Sequence, residues 1–220
     1  MAVAIDQIIT NGITFDVKNW QNTAMNANKL LEDIDDLFNT LDRLNINYLL
    51  VGGIALLSYI EGRNTQDIDL ILSRQDLDNL STIKIIEENN DFIRGDFNQL
   101  QIDVLLTRNK FFKTILQKFV TEREFGNRLI RCVTVEGLII LKLYALPSLY
   151  RQGKFDKASI YENDILLLLL NYTVNLSPLL KLLSKHLLKS DLEEIKEVIA
   201  AIQSKIQRFS RQQKRLDSQQ

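Results

Sequence analysis

The apolar positions of the chain first follow a helical period and then a strand-like one. Over residues 30–44 apolar side chains recur at helical spacing with acidic residues between them, which predicts an amphipathic helix. Residues 45–47 (NIN) end this helix, and residues 48–51 (YLLV) then form a short apolar run that predicts a buried strand. Two glycines follow the strand, and a second helix is predicted over residues 54–60.

The middle of the chain is predicted to form further strands. Residues 67–72 (DIDLIL) are a β-type run, and Ser73 directly after them is a favourable N-cap for a helix over residues 73–79. Residues 128–134 indicate one more strand. The sequence therefore predicts several short strands separated by helical segments.

A hairpin is predicted between these strands. One strand would cover residues 92–94, a turn would lie around Gly95 and Asp96, and the second strand would cover residues 100–106 (LQIDVLL). Glycine next to aspartate is a common turn sequence, which is why the turn is expected there.

From residue 135 onward the pattern becomes helical. The predicted helices cover residues 136–146, 160–172, 179–188 and 191–209. We therefore expect an α/β (α+β) protein in which a small mixed β-sheet core, flanked by helices, is followed by a C-terminal helical bundle. The corresponding domains are residues 1–134, which include an N-terminal arm, and residues 135–220.

Composition narrows the class of protein. The chain is 45% apolar and 25% charged, as in ordinary globular proteins. Its single Cys132 and single His186 exclude a disulfide framework and any zinc site that needs several such ligands. The first residues show no basic and apolar leader pattern, and the longest apolar block, residues 165–170, is too short to span a bilayer. We therefore expect a cytoplasmic protein with no membrane partner.

Charge is nearly balanced, with a formal net charge of −1, but it is unevenly distributed. The last residues are rich in bases: Lys205, Arg208, Arg211, Lys214 and Arg215. Such a segment can contact RNA or another phosphate-rich partner, or it can simply be a solvated helix end. The sequence leaves both readings open.

Three aspartates are the strongest candidates for chemistry. Asp67 and Asp69 are two apart on a predicted strand and therefore project to the same face. Asp103 lies in a similar frame, between the apolar Ile102 and Val104. If the two strands are neighbours, three carboxylates converge, and their mutual repulsion favours a bound cation. Oxygen ligands without His or Cys suit Mg²⁺ or Mn²⁺. A D-x-D run taken alone is more often a solvated strand face.

The Gly52-Gly53 pair is a candidate phosphate site. It follows a strand and opens a helix, so its backbone N–H groups, without side chains in the way, can approach a phosphate closely. Ser58 and Arg63 are expected near the same opening. A glycine pair alone usually marks only a turn, and it indicates a phosphate site only in combination with the aspartates.

The combined pattern resembles the polymerase-β-type nucleotidyltransferase superfamily, whose core motif is h-G-[GS], then D-h-[DE]-h, then a later h-[DE]-h. The matching segments are Val51-Gly52-Gly53, Asp67-Ile68-Asp69-Leu70 and Ile102-Asp103-Val104. The chain is also similar to the minimal nucleotidyltransferases of abortive-infection and toxin–antitoxin systems, in which Arg-x-Thr-x-Asp-h-Asp recurs. That form is matched by Arg63, Thr65, Asp67, Ile68 and Asp69.

The resemblance implies roles for the matched residues. Asp67 and Asp69 would bind the catalytic metal ions, and Asp103 would complete the metal site and act as base near the acceptor hydroxyl. Gly52 and Gly53 would hold the triphosphate of the nucleotide. The other residues assigned to nucleotide binding are Ser58, Arg63, Thr65, Lys142 and Arg151.

The helical segment after the sheet carries a weaker part of the resemblance. The run around Lys142 (EGLIILKL) is similar to the lysine-bearing helix of the toxin–antitoxin branch, which makes Lys142 a candidate phosphate ligand or a surface lysine. Arg151 and Lys154, with Asp156 and Asp164, are similar to the family's Arg…Lys-Asp…Asp segment. The chain departs from it because a phenylalanine separates Lys154 from Asp156.

Three hypotheses follow from the sequence. In the first, the protein is an enzyme that uses Mg²⁺ or Mn²⁺ to transfer an NMP from an NTP such as ATP to a hydroxyl of tRNA, other RNA or protein. Its expected protein partners are a toxin or antitoxin, or a second copy of the same chain. In the second, the same fold binds a nucleotide or partner without turnover. In the third, the aspartates are surface residues of an unrelated domain. The presence of all three aspartates favours the enzyme.

Overall fold

The computed structural model of the protein describes residues 27–60, 67–98 and 100–217. In these ranges the chain forms a mixed seven-stranded sheet with flanking helices, followed by a helical region. The predicted α/β fold with a C-terminal helical region is therefore confirmed. The chain divides into two compact units, with the boundary between Gly137 and Leu138.

The first part of the chain contains the strands. Its elements are α1 (Ala27–Arg43), β1 (Leu49–Val51), α2 (Gly52–Leu57), β2 (Ile68–Leu72), α3 (Arg74–Asp78), β3 (Lys84–Glu88), β4 (Phe92–Phe97), β5 (Leu100–Leu106), α4 (Lys110–Lys118), β6 (Val120–Phe125) and β7 (Arg128–Val133). The helices that follow are α5 (Val135–Arg151), α6 (Phe155–Asn171), α7 (Leu176–Leu183) and α8 (Lys189–Asp217).

The strand order places β2 and β5 side by side. The order across the sheet is β3-β4-β5-β2-β1-β7-β6. Strands β2 and β5 are parallel, as are β1 and β7, and every other neighbouring pair is antiparallel. Because β2 and β5 have neighbours on both sides, both are interior strands, and their almost unbroken apolar runs bury one face against helices.

Helix α1 packs its apolar stripe into the core, as its period predicts. Ile34, Leu37, Phe38 and Leu41 are each at most 1% exposed. The centroid of the Phe38 ring lies 5.7 Å from that of Tyr48 and 5.3 Å from that of Phe125 on β6. The aromatic cluster joins α1 to the residue before β1 and to β6.

The predicted turn around Gly95 and Asp96 is wrong. Strand β4 continues through both residues to Phe97, and the chain reverses at Asn98, which has a φ of +55°. Gly95 instead allows the neighbouring strand β3 to come close, because a Cβ at this position would lie 2.8 Å from the carbonyl oxygen of Lys84. A glycine in a strand can mark such a close approach rather than a turn.

The helix predicted to stop before Pro147 continues to Arg151. Proline removes one backbone donor inside the helix, yet the last turn is held by side-chain bonds. The Tyr150 hydroxyl donates to Glu162 at 2.7 Å, and Arg151 donates to Asp191 at 2.7 Å. These contacts outweigh the local preference for termination.

The second unit consists of helices with an apolar interior. Helices α6 and α8 contact each other. The buried side chains of these helices and of α7 include Ile165, Leu168, Leu183, Ile195 and Ile199. In the described part of the chain, every helix is too short or too polar to cross a bilayer.

Candidate functional site

The three aspartates converge at the end of β2. Asp69 of β2 and Asp103 of β5 are register partners. Asp67 directly precedes β2 and lies two residues before Asp69, so both side chains project to the same face. One carboxylate oxygen from each of Asp67, Asp69 and Asp103 lies within 4.8 Å of the other two. The structure thus brings together side chains that the sequence placed on two separate strands.

The glycine pair lies directly against one of these carboxylates. Gly52 has a φ of +69°, in the left-handed region that glycine occupies without strain. A Cβ at Gly52 would lie 1.7 Å from Oδ2 of Asp69, so no side chain fits there. The backbone N–H of Gly53 donates to the same oxygen at 3.3 Å. Glycine at position 52 is therefore required by conformation and by the space that Asp69 fills.

Arg94, to which no sequence pattern pointed, completes this face of the sheet. Its Nε donates to Oδ1 of Asp103 at 2.8 Å and its Nη2 donates to Oδ2 at 2.7 Å. Arg94 and Asp103 are register partners in β4 and β5. The hydrogen bonds to Asp103 are the main reason that the pKa of Arg94 is raised, although partial burial opposes them. Only the register of the two strands could have revealed this pair.

The cluster fits a hard divalent cation. Its ligands are carboxylate oxygens, which Mg²⁺ and Mn²⁺ prefer. Asp103 is buried, with 7% of the residue exposed, and Asp67 and Asp69 are half-buried. Among the residues that the structure describes, these three form the one group of three or more potential ligands that could surround an ion. They are the residues that would hold it.

The remaining predicted nucleotide ligands of the first unit have different placements. Ser58 is buried at 2% exposure, and its hydroxyl donates to the carbonyl of Ala55 at 2.7 Å. Arg63 and Thr65 lie outside the described residues. The nucleotide-binding roles of all three stay predictions.

The two candidate ligands of the second unit are engaged in ion pairs. Lys142 Nζ lies 2.7 Å from Oδ2 of Asp164, and both side chains are almost fully buried. The same amine lies 4.4 Å from the ring centroid of Tyr161. Arg151 pairs with Asp191 at 2.7 Å, but 60% of its side chain is exposed. The surface-lysine alternative for Lys142 is wrong, whereas both roles in nucleotide binding stay predictions.

Comparisons with known proteins bear on the fold. No protein-family model matches the chain, and no curated protein matches its sequence. Among solved structures, the chain is similar to an antigenic nucleotidyltransferase-like protein from Paracoccidioides brasiliensis, with a TM-score of 0.56 and 18% identity over 82% of this chain and 93% of that chain. At this identity the likeness shows the fold.

Two structures of the antibiotic-resistance factor ANT(2'')-Ia are also similar to the chain. One, in complex with adenylyl-2''-tobramycin, has a TM-score of 0.46 and 14% identity over 80% of this chain and 97% of that chain. The other, a solution structure, has a TM-score of 0.46 and 13% identity over 84% of this chain and 98% of that chain. Scores this low add nothing to the fold assignment. The chain has the fold of the antigenic nucleotidyltransferase-like protein, as its motifs predicted.

Proposed function

We propose that the protein is a metal-dependent nucleotidyltransferase that moves an NMP from an NTP to a hydroxyl acceptor, with release of pyrophosphate. The observation that carries this proposal is the convergence of Asp67, Asp69 and Asp103, with one oxygen from each within 4.8 Å of the others. Such a cluster next to a bare backbone turn is suited to phosphoryl transfer, which depends on positioning and charge neutralisation.

The three carboxylates would hold Mg²⁺ or Mn²⁺. When bound, the ion neutralises charge on the phosphate oxygens and helps to orient the reacting groups. Asp69 is already fixed by the Gly53 N–H, and Asp103 is fixed by Arg94. Two of the three ligands are therefore held in place by other groups of the protein, which limits the rearrangement that cation binding requires.

The turn at Gly52 and Gly53 would receive the triphosphate. Backbone without a side chain permits close approach of an anion, and the turn lies beside Asp69. The phosphates would thus lie near the cation that the aspartates hold. We also assign Ser58, Arg63, Thr65, Lys142 and Arg151 to nucleotide binding on the strength of the family resemblance.

For the acceptor, we propose RNA, in particular tRNA, or a protein, in a toxin–antitoxin pair. The basic end of α8 is the feature that favours a phosphate-rich acceptor, because Lys205, Arg208 and Arg211 are all exposed there. A toxin or antitoxin gene next to the gene of this protein would support the pairing.

The test is label transfer. The protein is incubated with each α-³²P-labelled NTP and Mg²⁺ or Mn²⁺, together with total RNA or cell lysate, beside an Asp67→Asn/Asp69→Asn variant. We expect transfer by the wild type and its loss in this variant. The matched control is Asp96→Asn, because Asp96 lies on the neighbouring β4 and is not one of the clustered carboxylates.

The same experiment separates the enzyme from a binding-only module. Nucleotide binding without transfer to RNA or lysate protein, at every NTP tested, would favour the module. Absence of both transfer and cation-dependent nucleotide binding would reject the two functions together.

A further inference from the structure

A single guanidinium occupies both oxygens of the third carboxylate. Arg94 Nε donates to Oδ1 of Asp103 and Arg94 Nη2 donates to Oδ2, at 2.8 and 2.7 Å. Gln101 adds a longer contact to Oδ1 at 3.4 Å. A cation that approaches the cluster from Asp67 and Asp69 therefore meets an Asp103 that already has a cationic partner.

The pair is built into the sheet. Arg94 and Asp103 face each other across the antiparallel β4–β5 pair, and a two-point arginine–carboxylate fork is among the strongest side-chain contacts. The Asp103 side chain is 10% exposed and that of Arg94 is 37% exposed. Arg94 is further flanked by Glu87, at 4.0 Å, and by the ring of Phe92, 5.4 Å from its centroid. The guanidinium is thus held at one position.

The charges of the cluster have a direct consequence for cation binding. Three carboxylates in close proximity repel one another, and Arg94 offsets part of this repulsion without a metal ion. The same positive charge opposes a divalent cation that would share Asp103 with it. Arg94 therefore stabilises the arrangement of ligands and weakens their attraction for the ion.

We propose that Arg94 is a positioning residue of the site, which holds Asp103 in place and competes with the divalent cation for it. The inference rests on the proposed function, because it takes the three aspartates to be the cation ligands. It predicts that the protein binds a divalent cation weakly in the absence of nucleotide. It also predicts that loss of Arg94 strengthens cation binding while it impairs transfer.

The test measures Mn²⁺ binding to the full chain without nucleotide, from the free-Mn²⁺ signal in electron paramagnetic resonance. We expect Arg94→Gln to bind Mn²⁺ about tenfold more tightly than the wild type, because one opposing charge is removed near the ion. Arg94→Lys retains the charge but loses the fork, and we expect its affinity to lie between the two. This second variant keeps the test decisive if Arg94→Gln does not fold.

The matched control is Arg74→Gln. Arg74 also pairs with two acidic side chains, Asp78 and Glu88, but it follows the opposite end of β2 from Asp67. We expect its Mn²⁺ affinity to equal that of the wild type. If Arg74→Gln gained as much Mn²⁺ affinity as Arg94→Gln, the change in the protein's net charge would explain both results, and the proposal would be overturned.

A double-mutant cycle tests whether Arg94 acts through Asp103. In an Asp103→Asn background, the gain from Arg94→Gln should fall to less than half, because the shared ligand has lost its charge. Label transfer gives a second readout: Arg94→Gln should lower kcat more than it raises KM for the NTP. A residue that served only stability would not combine tighter Mn²⁺ binding with a lower kcat.

The outcomes separate the inference from the function on which it rests. If wild-type protein binds Mn²⁺ and Arg94→Gln binds it no more tightly, the role of Arg94 is overturned and the metal site stands. If neither protein binds Mn²⁺ at millimolar concentration, the metal site fails and the inference fails with it.

Discussion

Asp69 and Asp103 are register partners in two adjacent parallel strands, although the chain between them forms two further strands, β3 and β4. The two aspartates belong to a row of register partners that crosses the sheet. On one side of them Arg94 lies opposite Asp103, and on the other Val51 lies opposite Asp69. Gly52 follows Val51 directly. One row across four strands therefore aligns the arginine, both aspartates and the start of the glycine turn.

Gly52→Ala is expected to destabilise the protein and to displace Asp69. The new Cβ would overlap the Asp69 carboxylate, and the alanine would have to adopt a φ of +69°. We expect a loss of roughly 2–4 kcal/mol in the free energy of unfolding, from backbone strain and the clash together, measured by urea denaturation. Mn²⁺ binding should weaken as well.

The control for this substitution is Gly126→Ala. Gly126 also has a positive φ, of +53°, but a Cβ there meets no atom within 4 Å. Only the backbone strain applies, so we expect a loss of about 1 kcal/mol. Equal losses at positions 52 and 126 would contradict the close packing of Gly52 against Asp69.

Divalent cations are expected to raise the melting temperature of the protein. A ligand that binds only the folded state, at a hundredfold excess over its dissociation constant, adds about 2.7 kcal/mol, which corresponds to several degrees for a chain of this size. Excess chelator should reverse the shift. Asp69→Asn should abolish it, and an unchanged melting temperature at saturating Mn²⁺ in the wild type would argue against the site.

Removal of one partner of the buried Lys142–Asp164 pair is expected to destabilise the protein. Lys142→Met leaves the Asp164 carboxylate buried without its 2.7 Å partner, which typically costs about 3–5 kcal/mol. The double variant Lys142→Met/Asp164→Leu should recover most of this loss, because no unpaired charge then remains buried at this position. Both values are measured by denaturant unfolding.

The same double variant separates two roles of Lys142. If the lysine acts only by pairing with Asp164, the folded double variant should retain label transfer. If it also binds phosphate, as the family resemblance implies, stability should recover while KM for the NTP rises at least several-fold.

The phenol of Tyr48 is expected to make the protein sensitive to alkali. Burial is the main cause that raises the pKa of Tyr48 from 10.0 to about 12. The folded state disfavours the charged phenolate of Tyr48. The free energy of unfolding is therefore unaffected by this group below pH 10, and it falls as the pH rises from 10 to 12. The loss is up to about 3 kcal/mol.

Tyr48→Phe tests the assignment, since it removes the titrating group and should flatten the fall in unfolding free energy over that range. Cys132, whose pKa burial raises from 9.0 to about 12, accounts for further loss over an overlapping range. An equally steep fall in Tyr48→Phe and wild-type protein would show that other groups dominate.

Much of the fold follows from local pattern. The stripe of α1, the cap at Ser73 and the strands beside the aspartates were predicted, and the structure contains them: Ser73 accepts the N–H of Asp76 at the start of α3. These features depend on neighbours within a few residues, so a pattern reveals them. Strand β3 was not predicted, because all five of its residues are exposed and it lacks apolar alternation. Helix α4 and strand β6 were also missed.

The turn predicted at Gly95 and the helix end predicted before Pro147 were wrong, because contacts with residues distant in the sequence override the usual local preferences of glycine and proline. Gly95 lies inside β4, at a position where β3 passes too close for a side chain. Pro147 lies inside a helix whose last turn is held by residues of other helices. In both places, a contact made only after folding decides the local structure.

By itself, the sequence determined which side chains are available for chemistry: two aspartates on one strand face, a third between apolar neighbours, and a glycine pair after a strand. Only the tertiary structure decided that Asp103 lies opposite Asp69, that Gly52 packs against that carboxylate, and that Arg94 engages both oxygens of Asp103. The reason is physical. Periodicity arises from the backbone geometry of adjacent residues, whereas register arises from packing and hydrogen bonds between strands far apart in the chain.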